Sequence, residues 1–418
     1  MFALVDANSF YCSAESVFRP DWRGKPMVVL SNNDGTAVAV NRLAKEAGIP
    51  KFQPYFKIKD LCSLKNVIVV SSNYELYATL SMNMMSVIGR FAPTQYIYSI
   101  DESFLSFDRT NQAIPDLSEQ GRKIRRAVWK ECRLPVCVGF GETLTLAKAA
   151  NQIAKTRKEL KGVCLIDSEP FRKDVLSKMP VNDVWGIGRR LSERMKFMGV
   201  TSALDLANMP PEKARREFNV NVERTVRELN GVRCLHWDSV ASPKKEIFST
   251  RSVGARIRDP ESLREAIAKH CATASKKARQ QNTLCRTMVV FAGNSPFDDR
   301  HIVKRATYRF SYPTADVTAI TKAASSLMAD IYSPEIDYYK IGVGFVEMVS
   351  GEQEQGDLFN PEPNNPKLMS VLDGLNHRFG DKTLFLGAEG IEQKWEMRRE
   401  MLTPRYTSDW NSLPSIKC

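Results

Sequence analysis

The sequence predicts a multidomain chain of mixed α/β type (α+β), and three observations lead to that fold class. Its 418 residues exceed what one ordinary core organises, so several domains of roughly 100 residues each are expected. It opens on an apolar strand, Phe2-Ala3-Leu4-Val5, closed by Asp6. Its second half alternates strand-like and helix-like periodicities in the order βαββαβ, the pattern of an open antiparallel sheet covered by two helices, close to a ferredoxin-like layout.

Taken in order, a strand over residues 1–6 turns Phe2 and Leu4 one way and Ala3 and Val5 the other. Both faces are apolar, which places the strand in the middle of a sheet. A second strand is predicted at 26–30, then a turn at Asn32-Asn33-Asp34-Gly35. Residues 38–47 predict a helix closed by Gly48 and Pro50. Helices are also predicted over 74–90, 117–132 (basic and amphipathic) and 145–155, with a strand pair at 96–106 and a strand at 136–141. Short helices follow at 171–178, 189–198, 202–208, 211–217 and 221–230, and then a polar linker containing Ser242-Pro243-Lys244-Lys245. The segment 246–350 carries strands at 247–257, 284–293, 302–311 and 338–348 and helices at 260–281 and 313–330. Residues 351–367, rich in Gly, Glu, Asn and Pro, read as a flexible linker. The last fifty residues, with a helical patch near 390–400, read as a small appended unit. No internal repeat is evident.

The formal charge of +12 points toward a polyanionic partner. Much of the excess is local: residues 243–310 hold 15 Lys and Arg against 6 Asp and Glu, which favours a domain that faces nucleic acid. Nine scattered cysteines without a Cys-x-x-Cys pair, and four histidines without a His-Glu-x-x-His arrangement, argue for buried reduced thiols and against zinc. The apolar opening is cut short by Asp6 and has no basic leader, and no stretch is long enough to span a bilayer, so a cytoplasmic protein is expected.

Two acidic positions stand out. Asp6 ends the buried strand, and Asp101-Glu102 lies within Tyr98-Ser99-Ile100-Asp101-Glu102-Ser103-Phe104. An unpaired carboxylate among apolar strand residues costs several kcal/mol, and three together also repel one another. Divalent cations remove both costs; Mg²⁺ prefers hard oxygen ligands and leaves room for substrate phosphates. Two such ions roughly 4 Å apart lower the pKa of an attacking hydroxyl and hold a leaving pyrophosphate. Successive strand residues point to opposite faces, so Asp101 and Glu102 serve one site only where the chain turns or bulges. Taken singly, each acid also reads as a solvated turn at a strand end.

Asp6-Ala7-Asn8-Ser9-Phe10-Tyr11 followed by Ser99-Ile100-Asp101-Glu102-Ser103 resembles the Y-family, or translesion, DNA polymerases, and more closely the UmuC-type catalytic subunits of DNA polymerase V. Ser71-Ser72-Asn73-Tyr74-Glu75-Leu76-Tyr77, Asp183-Val184-Trp185-Gly186-Ile187-Gly188-Arg189-Arg190 and Met401-Leu402-Thr403-Pro404-Arg405-Tyr406-Thr407 extend the resemblance over nearly the whole chain. It implies an error-prone polymerase of the SOS response that adds dNTPs to a primer 3′-OH with two Mg²⁺ ions. By the same resemblance Asp6, Asp101 and Glu102 are catalytic metal ligands, assisted by the Ala7 carbonyl, and Tyr11 is the steric gate against a ribose 2′-OH. Lys45 and Lys155 match positions that meet the triphosphate, and Arg42 lies on the same helical face as Lys45. The chain departs from the family pattern at Asn8, where many members carry a third acid, and at Arg42, where an aromatic is common.

The resemblance further implies a right hand: palm at 1–10 and 73–166, small fingers at 11–72, a helical thumb at 167–233 and a linker at 234–242. A ferredoxin-like little finger at 243–350 follows, then the linker at 351–367 and a C-terminal unit at 368–418 of no assigned role. Gly186, Gly188, Arg189 and Arg190 resemble a helix-hairpin-helix phosphate site, where glycines let backbone N–H groups approach an anion, and Arg251 and Arg256 belong to the basic DNA-gripping segment. Gln355, Leu358 and Phe359, in Gln355-Gly356-Asp357-Leu358-Phe359, resemble a sliding-clamp peptide, with an exposed Leu-Phe pair for a hydrophobic groove. Implied partners are primer-template DNA, dNTPs, the sliding clamp, a processed UmuD-type accessory dimer and a RecA-type recombinase filament. Two rivals are a nucleotide cyclase with a related palm, and a non-catalytic DNA- and clamp-binding protein.

Overall fold

Strand β1 (Phe2–Ala7) is buried along its whole length because its two faces feed two cores. Ala3, Val5 and Ala7 pack with Leu76, Tyr77, Met84, Ile124 and Val128 on one side, and Phe2 and Leu4 pack with Phe104, Leu144 and Ala147 on the other. The computed structural model describes residues 1–108, 110, 114–236, 244–352 and 364–413. They fall into two compact units, Met1–Ala241 with Glu400–Cys418, and Ser242–Arg399.

In the first unit, helix α1 (Phe10–Phe18) follows β1 directly. A small sheet comes next, from β2 (Met27–Leu30), β3 (Ala37–Val40) and β4 (Ile68–Ser71), in the order β3-β2-β4. It carries helices α2 (Arg42–Glu46) and α3 (Tyr55–Leu64). The helix expected over 38–47 is therefore a strand followed by a short helix. Alternating Ala37-Val38-Ala39-Val40 pairs with β2, Val28 opposite Val40 and Val29 opposite Ala39, and β-branched residues suit that pairing. Asn41 then starts the helix, its Oδ1 accepting from Ala44 N at 2.9 Å.

The main sheet has the order β5-β6-β1-β7-β8. Helix α4 (Tyr74–Gly89) precedes β5 (Thr94–Ile97) and β6 (Glu102–Ser106), and α5 (Leu117–Cys132) leads to β7 (Val136–Gly141), α6 (Leu144–Thr156) and β8 (Val163–Leu165). Helix α6 lies almost on the backbone of β7: a Cβ on Gly139 would collide with Asn151 and Ala147. Asn151 uses that approach to donate to Leu4 O at 3.1 Å and Cys137 O at 2.9 Å, locking the register of α6 against β1 and β7. Five short helices follow, as expected: α7 (Glu169–Ser177), α8 (Arg189–Phe197), α9 (Ala203–Ala207), α10 (Pro211–Glu217) and α11 (Val220–Leu229).

The second unit contains β9 (Ile247–Ile257), α12 (Pro260–Gln280), β10 (Thr283–Gly293), β11 (Val303–Thr314), α13 (Val317–Ser326), α14 (Met328–Ile331) and β12 (Tyr338–Ser350). All neighbours in the sheet β11-β10-β12-β9 are antiparallel. Each βαβ pair is split by one strand, β12 between β9 and β10 and β10 between β11 and β12, the ferredoxin-like device. The C-terminal region departs from expectation. Its helix is α15 (Pro366–Phe379), started by Asn365, which accepts from Leu368 N at 3.0 Å, with Pro366 at the first helical position. The stretch near 390–400 is not helical: Gly390 has φ 72°, and Trp395 O accepts from Gly254 N at 3.1 Å beside the edge strand β9. Nor is the region one appended unit. Residues up to 399 belong with the second unit, where Asp373 takes a bidentate bond from Arg279 at 2.6 and 2.7 Å, and residues from 400 belong to the first. Cys12, Cys62, Cys132, Cys137, Cys164, Cys271 and Cys285 are buried and unpaired, and Cys234 is half-buried. No helix among the described residues is long and apolar enough to cross a membrane.

Candidate active site

The three acids meet at one end of the main sheet. Asp6 stands directly across from Glu102 in the β1–β6 pairing, and Ala7 N donates to Asp101 O at 3.0 Å. The difficulty over neighbouring strand residues is resolved by a turn. Strand β6 begins at Glu102, whose carbonyl accepts from both Tyr98 N and Ser99 N, at 3.0 and 3.1 Å. Asp101 therefore sits on the turn rather than in the strand, with Ser99 Oγ donating to its Oδ1 at 2.6 Å. Alternation along β1 and β6 puts Asp6 and Glu102 on the face shared by Leu4 and Phe104, which is the face covered by α6.

Helix α6 answers with two lysines. Lys155 Nζ lies 2.6 Å from Asp6 Oδ1, and Lys148 Nζ lies 3.0 and 3.2 Å from the two oxygens of Glu102. Lys148 also sits over the rings of Tyr98 and Trp185, 4.5 and 5.1 Å from their centroids. Burial pushes the Asp6 carboxyl well above the usual range, opposed by Lys155 and reinforced by the charges of Glu102 and Asp101. Ionising Asp6 here therefore calls for positive charge beyond Lys155. As they stand, the Asp6 and Glu102 carboxylates turn toward those lysines and Asp101 toward Ser99, and no three His, Cys, Asp or Glu groups among the described residues surround one point as metal ligands would. The backbone arrangement, the hard oxygen donors and the mutual repulsion of the acids fit a divalent cation; the side-chain rotamers are those of the ion-paired state.

Asp6 and Asp101, but not Glu102, line a cleft of about 840 Å³ whose walls also include Ala7, Tyr11, Arg42, Lys45, Lys51 and Lys155. The structure thus brings the predicted nucleotide-binding cations to the predicted ligands. Exposed Arg42 is also paired with Glu46 at 2.6 Å. Tyr11 is half-buried on α1, its ring stacked on Tyr77 at 4.5 Å and set edge-on to Tyr74 at 6.2 Å. Tyr77 in turn donates to Oε1 of fully buried Glu15 at 2.6 Å. Burial raises the Glu15 carboxyl to about 7, drawn back by hydrogen bonds from Tyr77 and, more weakly, Thr403. The Thr403 contribution is off-axis, since Glu15 Oε2 has no partner in good hydrogen-bond geometry.

Sequence reasoning missed Lys51, Lys148 and Glu15. Lys148 was within reach, because it precedes Lys155 by seven residues, two helical turns, and so shares its face. Lys51 follows Pro50 in a loop, and Glu15 sits mid-helix, with nothing local to mark either.

The thumb-like hairpin places Gly186 at φ 87° and Gly188 at the N-cap of α8, with Arg189 and Arg190 exposed on its first turn. Trp185, from the same hairpin, donates to the Tyr98 hydroxyl at 3.3 Å beside the acids. In the second unit, Arg251 pairs in register with buried Ile341 and so lies on the helix-covered side of the sheet, while Arg256 is bound bidentately by Asp298 at 2.6 Å. The open face instead displays Arg305, opposite Phe291, and Arg309, opposite Thr287, neither of them singled out from sequence. Gln355, Leu358 and Phe359 lie outside the described residues.

Solved structures share this architecture. A chimeric Y-family DNA polymerase built on Dbh matches with a TM-score of 0.62 at 21% identity, over 82% of this chain and 98% of that one. An insertion ternary complex of Dbh DNA polymerase matches with a TM-score of 0.52 at 20% identity, over 84% of this chain and 100% of that one. The fold is that of the right-hand, Y-family class. Residues 5–152 match the impB/mucB/samB family, residues 244–358 its C-terminal domain, and residues 366–416 a domain of unknown function. UmuC of Salmonella typhimurium is 41% identical over 100% of both chains, MucB of Escherichia coli 39% over 99% of both, and DNA polymerase IV 1 of Bacillus subtilis 25% over 92% of both. The chain belongs to the impB/mucB/samB family of UmuC-type Y-family polymerases, and is a DNA-directed DNA polymerase of the error-prone, translesion kind that serves SOS mutagenesis.

Proposed function

We propose that nucleotidyl transfer in this chain uses two Mg²⁺ ions held by Asp6, Asp101 and Glu102 with the Ala7 carbonyl. The observation that carries this reading is the cross-strand pair Asp6–Glu102, with Asp101 joined to the same strand end through the Ala7 N–H. When bound, the ions would lower the pKa of the primer 3′-OH and take up charge on the leaving pyrophosphate. Lys155, now on Asp6, faces the cleft with Arg42 and Lys45, where these cations meet a triphosphate and offset its charge. Lys51 joins them. Lys148 holds Glu102 against Tyr98 and Trp185 and so orients one ligand from α6. Tyr11, backed by Tyr77, fills the space of a 2′-OH and restricts the sugar to deoxyribose.

In this reading residues 1–10 and 73–166 are the palm, 11–72 the fingers, 167–233 the thumb and 243–350 the little finger. The duplex is gripped without sequence readout by the Gly186–Gly188 hairpin with Arg189 and Arg190, and by basic residues of the little finger, Arg305 and Arg309 foremost. Likeness to UmuC supports a UmuD-type dimer as partner. The clamp peptide at Gln355, Leu358 and Phe359 and a recombinase filament complete the proposal. Asp101→Asn tests the catalytic core: primer extension on a lesion-containing template should fall below detection while primer-template affinity stays within about twofold, since the acid makes little of the phosphate contact. Retained extension would remove the metal assignment.

A further inference from the structure

The chain leaves the catalytic unit after residue 241 and returns to it at Glu400. The returning segment is anchored at two cores. Glu400 N donates to Asp34 Oδ2 at 2.9 Å, Met401 N to Ser71 Oγ at 3.0 Å, and Ser71 N to Met401 O at 2.9 Å. Met401 packs on the core of the small sheet. Tyr406, 7% exposed, belongs to the core of the main sheet and stacks on Phe18 at 4.8 Å. A segment that spans two cores holds them in register, because each anchor shortens the free chain available to the other.

Between the anchors lies Thr403, also buried. Its Oγ1 accepts from Asn73 Nδ2 at 3.0 Å, and the same amide reaches the carbonyls of Thr403 and Pro404 at 3.4 and 3.3 Å. Asn73 is the N-cap of α4, its Oδ1 accepting from Leu76 N at 3.2 Å. One side chain thus ties the returning segment to the first turn of α4. That turn carries Tyr74 and Tyr77, which with Phe10 border the Tyr11 ring. Tyr77 is held at its far end by Glu15.

We propose that residues 400–406 are a positioning strap for sugar selection: through Thr403 and Asn73 they fix the start of α4, and with it the ring that backs Tyr11. The strap gives the C-terminal segment a role in the polymerase site itself. It makes Thr403 and Asn73 positioning residues, since neither borders the cleft. The inference rests on the reading of Tyr11 as the steric gate.

The test is steady-state insertion of a deoxynucleotide and its matching ribonucleotide by the full chain on primer-template. Thr403→Val, nearly isosteric, deletes the hydroxyl, and Asn73→Asp keeps the cap oxygen while deleting the donor to Thr403. Each should lower the deoxy-to-ribo ratio of kcat/KM by about fivefold, the loss of one hydrogen bond. Thr403→Ser should restore it, and the double variant should lose little more than either alone, because both cut one link. Tyr11→Ala is the reference and should collapse discrimination. If Tyr11→Ala does so while Thr403→Val and Asn73→Asp slow both sugars equally at an unchanged ratio, the strap is structural only and the proposal is overturned. If Tyr11→Ala leaves discrimination intact, it is the gate reading that fails.

Discussion

Glu15→Gln should change how stability responds to pH, and the size of the change follows from the site. Glu15 is fully buried, accepts one hydrogen bond from Tyr77, and has its carboxyl raised from 4.5 to about 7. A raised acid keeps its proton in the folded chain at pH values where the unfolded chain has released it. Its stabilising contribution is therefore complete below 4.5 and is lost as pH rises through about 7. The full effect is about 3 kcal/mol, of which about 2 kcal/mol falls between about pH 5.5 and pH 8. Gln keeps an acceptor for Tyr77 and does not titrate, so the variant lacks this slope, whatever constant cost its amide adds. Urea unfolding of parent and variant across that pH range reads the difference directly, since every other titrating group is common to both. The parent should lose about 2 kcal/mol relative to the variant on going to the higher pH. Parallel profiles would mean that Glu15 is ionised in the folded state, and its part in fixing Tyr77 would need a different account.

Two further outcomes are expected. Arg305→Ala with Arg309→Ala should weaken primer-template binding for all sequences alike and reduce the slope of log affinity against log salt by about 2, as two phosphate contacts are lost; an unchanged slope would take the open sheet face out of the duplex interface. Leu358→Ala with Phe359→Ala should leave basal extension unchanged and abolish stimulation by the sliding clamp, and stimulation that persisted would dispose of that peptide.

What the sequence revealed and what it hid divide along physical lines. β1 was legible because both of its faces are apolar, and the strands of the second unit because their period and turn residues agree. Residues 38–47 misled because small and β-branched residues there answer to pairing with β2, a tertiary fact. The acids were visible as charges out of place, but the turn that lets Asp101 and Glu102 share a site depends on Tyr98 and Ser99 closing onto Glu102 O. Lys148 carried a spacing signal that went unused. The C-terminal region was least legible, because its partners are distant in sequence: Thr403 finds Asn73, and Tyr406 finds Phe18, across most of the chain. Charge counts marked the second unit as basic, yet only register separates Arg305 and Arg309 on the open face from Arg251 on the helix side.

The central claim is that Asp6, Asp101 and Glu102 together bind the catalytic cations. Titration with Mn²⁺, a paramagnetic stand-in for Mg²⁺, in the presence of primer-template and a non-reacting dNTP analogue counts the ions directly. The full chain should take up one beyond those held by DNA and nucleotide alone, because the nucleotide brings the other, and the variant Asp6→Asn, Asp101→Asn, Glu102→Gln should take up none. Equal uptake by the two proteins would contradict the account.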